Sequence, residues 1–343
     1  MTSVILDERP RTISWQRLTV EPRRPRAVRD LPRGYLLAVA AVCVGAFMGQ
    51  LDASIVTLAF PAFEQSFHAG VGAVSWVGLS YLLVLVATVA AVGRIADMVG
   101  RKLLYIYGFA IFVVGSVLCA TATNLIGLDC FRAFQAIGAA MLQANSVAII
   151  ALAVPRRRLG RALGVQGAAQ ALGLALGPSV GGLLLAAGGW RWLFLVNVPV
   201  GLVGMVAALL FVPRSRQLQR RVGFDWPGFA LFFPAVAALV FAVSEGNRLG
   251  WTSPTMAVLF GVAAVLGAAF VARERRSRSP MIDGALFRHM PFTSGISSAL
   301  LAFLVMFGVL MVVPFYLERA SGYGTVRTGL ELMVMPLALG LVA

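Results

Sequence analysis

Runs of about twenty consecutive apolar residues recur along almost the whole chain, and a segment of that kind has few places to go. At 1.5 Å per residue, about twenty residues make a helix of about 30 Å, the thickness of the hydrocarbon core of a bilayer. Nine complete runs are read at about 35–60, 74–97, 103–122, 125–153, 160–187, 192–212, 227–244, 254–272 and 293–317, with part of a tenth from 329 to Ala343. Strands of a membrane barrel would alternate in polarity over about ten residues; these runs are continuous, so the backbone is satisfied inside helices. With 59% hydrophobic and 13% charged residues, most of the surface must face lipid. The expected class is an all-α membrane protein.

The charges set an orientation. With the N-terminus in the cytoplasm, 24 of the 29 basic residues fall in the tail and the cytoplasmic loops, against four in the external loops, Arg191, Arg248, Arg319 and Arg327. That asymmetry follows the positive-inside rule and predicts a multi-pass protein of the inner (plasma) membrane. The net charge of +15 is accounted for by topology and attraction to anionic lipid, and no basic folded face supports nucleic-acid binding. Residues 1–34, polar and rich in Arg and Pro, read as a disordered basic cytoplasmic tail. Six runs fill 35–212 as one bundle. Basic linkers with an accessory pair of helices occupy 213–291, and 292–343 opens a second bundle. The only histidines, His68 and His289, lie in loops on opposite sides of the membrane, and Cys43, Cys119 and Cys130 have no ligand spacing, so neither a metal site nor an enzyme is expected.

Four local patterns carry chemistry. After the second run stands Gly93-Arg94-Ile95-Ala96-Asp97-Met98-Val99-Gly100-Arg101-Lys102. Gly93 and Gly100 allow a tight turn and close helix approach, while Asp97 can accept from Arg101 or sit at a helix N-terminus. In the fourth run Arg132 is a charge inside an apolar span, costly unless it meets a cavity or a partner. At about 100° per residue, Gln135, Ala139, Gln143 and Ser146 share its face, which is expected to look into a central cavity; Asp129, three residues earlier, is a candidate partner. The fifth run carries Gly173, Gly177, Pro178, Gly181 and Gly182, a flat stripe for close packing beside a proline where the helix can bend. In the first run Asp52 is the only carboxylate, and burial disfavours its charged form, which suits it to loading and unloading a proton.

These residues resemble a known family. Gly93 to Lys102 resembles the signature loop of the major facilitator superfamily, which implies a cytoplasmic latch between two bundles. Arg132 to Ala140 is similar to that superfamily's helix 4 motif, whose arginine is linked to proton movement, with Asp129 a departure from it. Gly173 to Gly182 resembles its antiporter motif. Leu51-Asp52-Ala53-Ser54 and Trp190-Arg191-Trp192-Leu193-Phe194-Leu195-Val196-Asn197 are similar to segments of the fourteen-helix drug:proton antiporters, and the accessory pair fits that plan. The resemblance implies a proton-coupled exporter of small amphipathic molecules, driven by the proton motive force without a cofactor, with Asp52 and Arg132 as the coupling residues. Its partners would be the lipid bilayer, protons and a substrate in a midplane cavity lined by Met48, Gln135, Gln143, Phe303, Met306 and Phe307. It also implies about four further helices of the same protein, so the chain is expected to be C-terminally incomplete. An uptake permease of the same fold is the alternative, disfavoured by the antiporter pattern.

The charge asymmetry makes a direct prediction. Cysteines placed at Gly70 and Gly246 react with an impermeant thiol reagent added to intact cells, and cysteines at Arg157 and Arg276 do not; labelling at Arg157 from outside overturns the orientation.

Overall fold

The computed structural model describes residues 21–29, 31–215, 223–277, 280–281, 284–322 and Glu331. Nine long helices run through them: α1 (Gly34–Thr57), α2 (Trp76–Val99), α3 (Arg101–Ala120), α4 (Leu125–Ala153), α5 (Leu159–Gly188), α6 (Asn197–Phe211), α7 (Trp226–Leu249), α8 (Pro254–Glu274) and α9 (Met290–Arg319). Eight segments built on α1 to α8 are long and apolar enough to cross a membrane. The tenth run read from the sequence lies outside the described residues, apart from Glu331.

Local chemistry sets the helix ends. Asn124 accepts from the Gly127 N–H at 2.7 Å to cap α4, Asp225 accepts from Gly228 at 3.0 Å to cap α7, and Ser253 accepts from Met256 at 3.3 Å to cap α8. Gly100 separates α2 from α3 at φ 123°, a conformation that side chains rarely adopt. Asp225 also receives Arg273 Nη2 at 3.1 Å, which ties the start of α7 to the end of α8.

Helices α1 to α6 form one bundle. Within it α3 packs along α4, α1 along α5, and α2 along α4, while α6 lies against α1 and α3. The α7 and α8 pair attaches through α7 to α2. Two large apolar cores fill the bundle, beside a smaller cluster around Val92 and Leu104. One contains Met48, Tyr105, Phe109 and Phe112. The other lies at the end where α1 leads into the short helix Phe60–Phe67 and α5 leads through Arg191–Leu195 into α6; there Phe63 meets Trp190 edge-on at 5.3 Å.

Small residues decide how close the helices come. A Cβ on Gly138 of α4 would lie 2.5 Å from the Phe112 backbone nitrogen of α3. A Cβ on Gly173 or Gly177 of α5 would land on the Phe47 carbonyl or the Ser54 hydroxyl of α1, and one on Gly181 would lie 2.9 Å from Ile55 Cγ1. The glycine stripe of α5 therefore faces α1. Gly93 behaves otherwise: among the described residues nothing approaches its Cβ position within 4 Å, nor that of Gly182, so they show no close approach at Gly93. Gly93 sits within α2, with the tight turn made at Gly100 alone.

The tail also departs from expectation. Glu21, read as part of a disordered stretch, is buried and accepts the Lys102 N–H at 3.0 Å with Oε1, while Oε2 accepts the Ser215 N–H at 2.7 Å. The start of α3 has unpaired N–H groups and a positive dipole end, and this carboxylate answers both. Residues 26–29 form a short helix beyond it.

Gly138→Ala is expected to lower the stability of the detergent-solubilised protein by about 1–3 kcal/mol, because the new methyl meets backbone rather than a movable side chain. Gly93→Ala, with open space around it, is expected to raise stability slightly through helix propensity. Equal thermal unfolding of the two variants would contradict the close α3–α4 contact.

Candidate functional site

Several buried polar residues of the bundle meet around one carboxylate. Asp52 Oδ2 accepts from Arg132 Nη1 at 2.7 Å, and both side chains are almost wholly buried. Asp52 Oδ1 accepts from Asn197 Nδ2 at 2.7 Å and from Gln135 Nε2 at 3.2 Å. Arg132 in turn donates to Gln135 Oε1 at 2.6 Å and to the Val77 carbonyl at 3.2 Å. The ring of Tyr81 lies 4.1 Å from the guanidinium carbon, within cation–π range, and that of Phe194 at 5.8 Å. Gln135 is completed by a bond from its Nε2 to Ser116 Oγ at 2.8 Å. Five helices thus contribute: α1 gives Asp52, α2 Val77 and Tyr81, α3 Ser116, α4 Arg132 and Gln135, and α6 Asn197.

Such a pair is chemically poised. Taken alone, either charge would pay a desolvation penalty of several kcal/mol; together, with hydrogen bonds on the remaining oxygens and N–H groups, they are held at little net cost. The ion pair is thus the charged part of the tie between α1 and α4. Among the described residues no group of three or more His, Cys, Asp or Glu could hold a metal.

Residues 42–343 match the Major Facilitator Superfamily. The chain belongs to that superfamily. It is 36% identical over 312 residues to the multidrug resistance protein Stp of Mycobacterium tuberculosis, covering 91% of this chain and 58% of Stp. It is 32% identical over 308 residues to the riboflavin transporter RibZ of Clostridioides difficile, covering 90% of this chain and 66% of RibZ. The chain therefore spans less than two thirds of the length of these relatives. Among solved structures, the human organic anion transporter MFSD10 superposes with a TM-score of 0.60 at 14% identity, over 91% of this chain and 71% of that one. Identity that low speaks to the fold alone. The chain is thus a multi-pass membrane protein of a transporter superfamily, with the arrangement of that superfamily's N-terminal half.

Several sequence expectations need correction. Arg132 pairs with Asp52, eighty residues away, and Asp129 Oδ1 makes no hydrogen bond among the described residues. The face of α4 bearing Arg132, Gln135, Ala139 and Ser146 turns into the bundle instead of into a cavity, because the buried charge is stabilised by partners on neighbouring helices; Ser146 receives Gln166 Nε2 of α5 at 2.9 Å. Only Gln143 of that set is exposed. Met48 is fully buried in the core, its sulfur near Gly201 of α6, since it shares the inward face of α1 with Leu51, Asp52 and Ile55. The side chains of Phe303, Met306 and Phe307 lie outside the described residues. At the signature loop, Arg101 Nη2 bonds Asp97 Oδ1 at 2.6 Å, and Lys102 Nζ reaches the Leu209 carbonyl at 2.7 Å. An apolar groove of about 520 Å³ between α1, α5 and α6, lined by Cys43, Phe47, Leu172 and Val203 among others, contains no predicted site residue.

Sequence reasoning missed the roles of Asn197, Tyr81 and Ser116. Asn197 did carry a signal, being a lone amide in an apolar stretch, a residue type that is buried only with partners.

Removing one charge should hurt more than removing both. Arg132→Leu is expected to destabilise the protein by about 3–5 kcal/mol by stranding a buried carboxylate, while Asp52→Leu combined with Arg132→Leu recovers most of that loss. Thermal unfolding of the single and double variants checks this; additive losses would contradict the pairing.

Proposed function

We propose that the protein exports small amphipathic, drug-like molecules across the bacterial plasma membrane in exchange for protons, with its N-terminus in the cytoplasm. The observation that carries this reading is the buried Asp52–Arg132 pair joining α1 to α4. A titratable group that is fully enclosed, and whose charge fixes the relation of two helices, is what coupling to a proton gradient requires. In this reading protonation of Asp52 frees Arg132, the bundle shifts, and release of the proton to the cytoplasm restores the tie.

The rest of the site residues take supporting roles. Gly173, Gly177 and Gly181 form the sliding surface of α5 against α1, Pro178 and Gly182 beside them let the helix bend, and the turn at Asp97, Gly100, Arg101 and Lys102 is the cytoplasmic gate. Relatives named for multidrug resistance support an apolar, adaptable substrate site. No bound cofactor is required; the proton motive force supplies the work. A second reading, movement of a metabolite, is supported by the likeness to a riboflavin transporter.

Asp52→Asn keeps the size of the side chain but cannot carry a proton. In everted membrane vesicles of the full protein it is expected to insert normally and to lose ethidium transport driven by an imposed pH gradient, by at least about a hundredfold if the coupling step is removed outright. Undiminished gradient-driven transport by the Asn variant would refute the coupling role of Asp52. Gradient-driven riboflavin movement without ethidium movement in the unaltered protein would favour the second reading.

A further inference from the structure

Two side-chain amides bond Asp52, and they are not equivalent. Gln135 is committed at both ends: its carbonyl accepts from Arg132 Nη1, and its nitrogen donates to Asp52 Oδ1 and Ser116 Oγ. Asn197 is committed at one. Its nitrogen donates to Asp52 Oδ1 at 2.7 Å, whereas its carbonyl oxygen, on a side chain only 1% exposed, makes no hydrogen bond among the described residues. A buried, unpaired carbonyl beside a titratable carboxylate is costly unless it has a use.

We infer that Asn197 reads the protonation state of Asp52 by turning its amide. This rests on the reading of Asp52 as the proton site. An ionised carboxylate only accepts, so it holds the NH₂ of Asn197 towards itself and leaves the carbonyl outward. When a proton from the aqueous side binds Oδ1, that oxygen becomes a donor, and a half-turn of the amide brings the Asn197 carbonyl round to accept it. Among the described residues no other group bonds the amide, so its orientation follows the charge of Asp52.

The two helices that grip Asp52 then respond differently. The tie from α1 to α6 through Asn197 survives protonation, with donor and acceptor exchanged. The tie from α1 to α4 through Arg132 loses its charge. A proton therefore weakens the α1–α4 joint, where Gln135 still bonds Asp52, more than the joint between α1 and α6. Among the described residues the titratable groups around Asp52 and Arg132 are Tyr81 on α2, Cys119 on α3 and Asp129 on α4, and none of these bonds Asn197.

Infrared difference spectra of the full protein in lipid nanodiscs, stepped from alkaline to acidic pH, test this. The carboxylic-acid C=O band of Asp52 is recognised by its loss in Asp52→Leu. In Asn197→Leu that band is expected to move to higher wavenumber, because its O–H has lost its acceptor, and gradient-driven ethidium transport is expected to fall at least tenfold. Asn197→Val, a smaller change, should give the same displacement. In the unaltered protein labelled with carbonyl-¹³C asparagine, the pH step should move an asparagine band that stays still in Asp52→Leu, a measurement that needs no Asn197 variant. An Asp52 band unmoved in either Asn197 variant, or no responsive asparagine band, overturns the role of Asn197 alone. Full gradient-driven transport by Asp52→Leu overturns the coupling reading and this inference with it.

Discussion

Arg132 cannot be deprotonated at any ordinary pH, and it is buried inside a membrane-spanning helix that is otherwise largely apolar. Everything about the centre of the bundle follows from the need to satisfy it. A guanidinium presents five N–H donors and a flat cationic face, and the structure meets them with a carboxylate, an amide carbonyl, a backbone carbonyl and an aromatic ring. Those groups come from three different helices, α1, α2 and α4 itself. The charge thereby acts as the registration point of the fold, fixing the heights of α1, α2 and α4 relative to one another and, through the Asp52–Asn197 bond, that of α6.

Around that point the helices are held by contact, since lipid tails attract an apolar side chain as well as another helix does. Close approach substitutes for the missing hydrophobic drive. Gly138 against Phe112 and the α5 glycines against α1 let backbones meet at distances that any larger residue would forbid. The two devices are complementary, one setting rotation and height, the other setting separation. The polar link from Gln166 to Ser146 adds a second registration between α5 and α4.

Most of the architecture was legible in the sequence because hydrocarbon thickness imposes a length on every element, and the apolar runs show it directly. The site was legible in part. Asp52 and Arg132 stood out as charges in apolar surroundings, but their pairing did not, since helical spacing pointed to Asp129, a near neighbour in sequence, and only the packing of α1 on α4 brings Asp52 closer. Met48 was misplaced for the same reason: a helical face can be drawn from sequence, but whether it turns inward or towards a cavity depends on which helices cover it. Asn197 was overlooked because a neutral amide draws attention only after its carboxylate neighbour is known. Glu21 lay beyond sequence reasoning altogether, its partners being Lys102 and Ser215, far along the chain.

That last contact changes what the first residues of the chain are for. Glu21 joins the start of α3 to the segment that leaves α6, so these two stretches share a fastener supplied from outside the bundle. Gly100 has no room for a side chain because the Glu21 carboxylate occupies the space. An affinity tag fused close to Glu21, or a trimmed expression variant that begins after it, would thus alter the turn at Gly100 from a distance, and a preparation chosen for convenience at its amino end would report on a differently assembled protein.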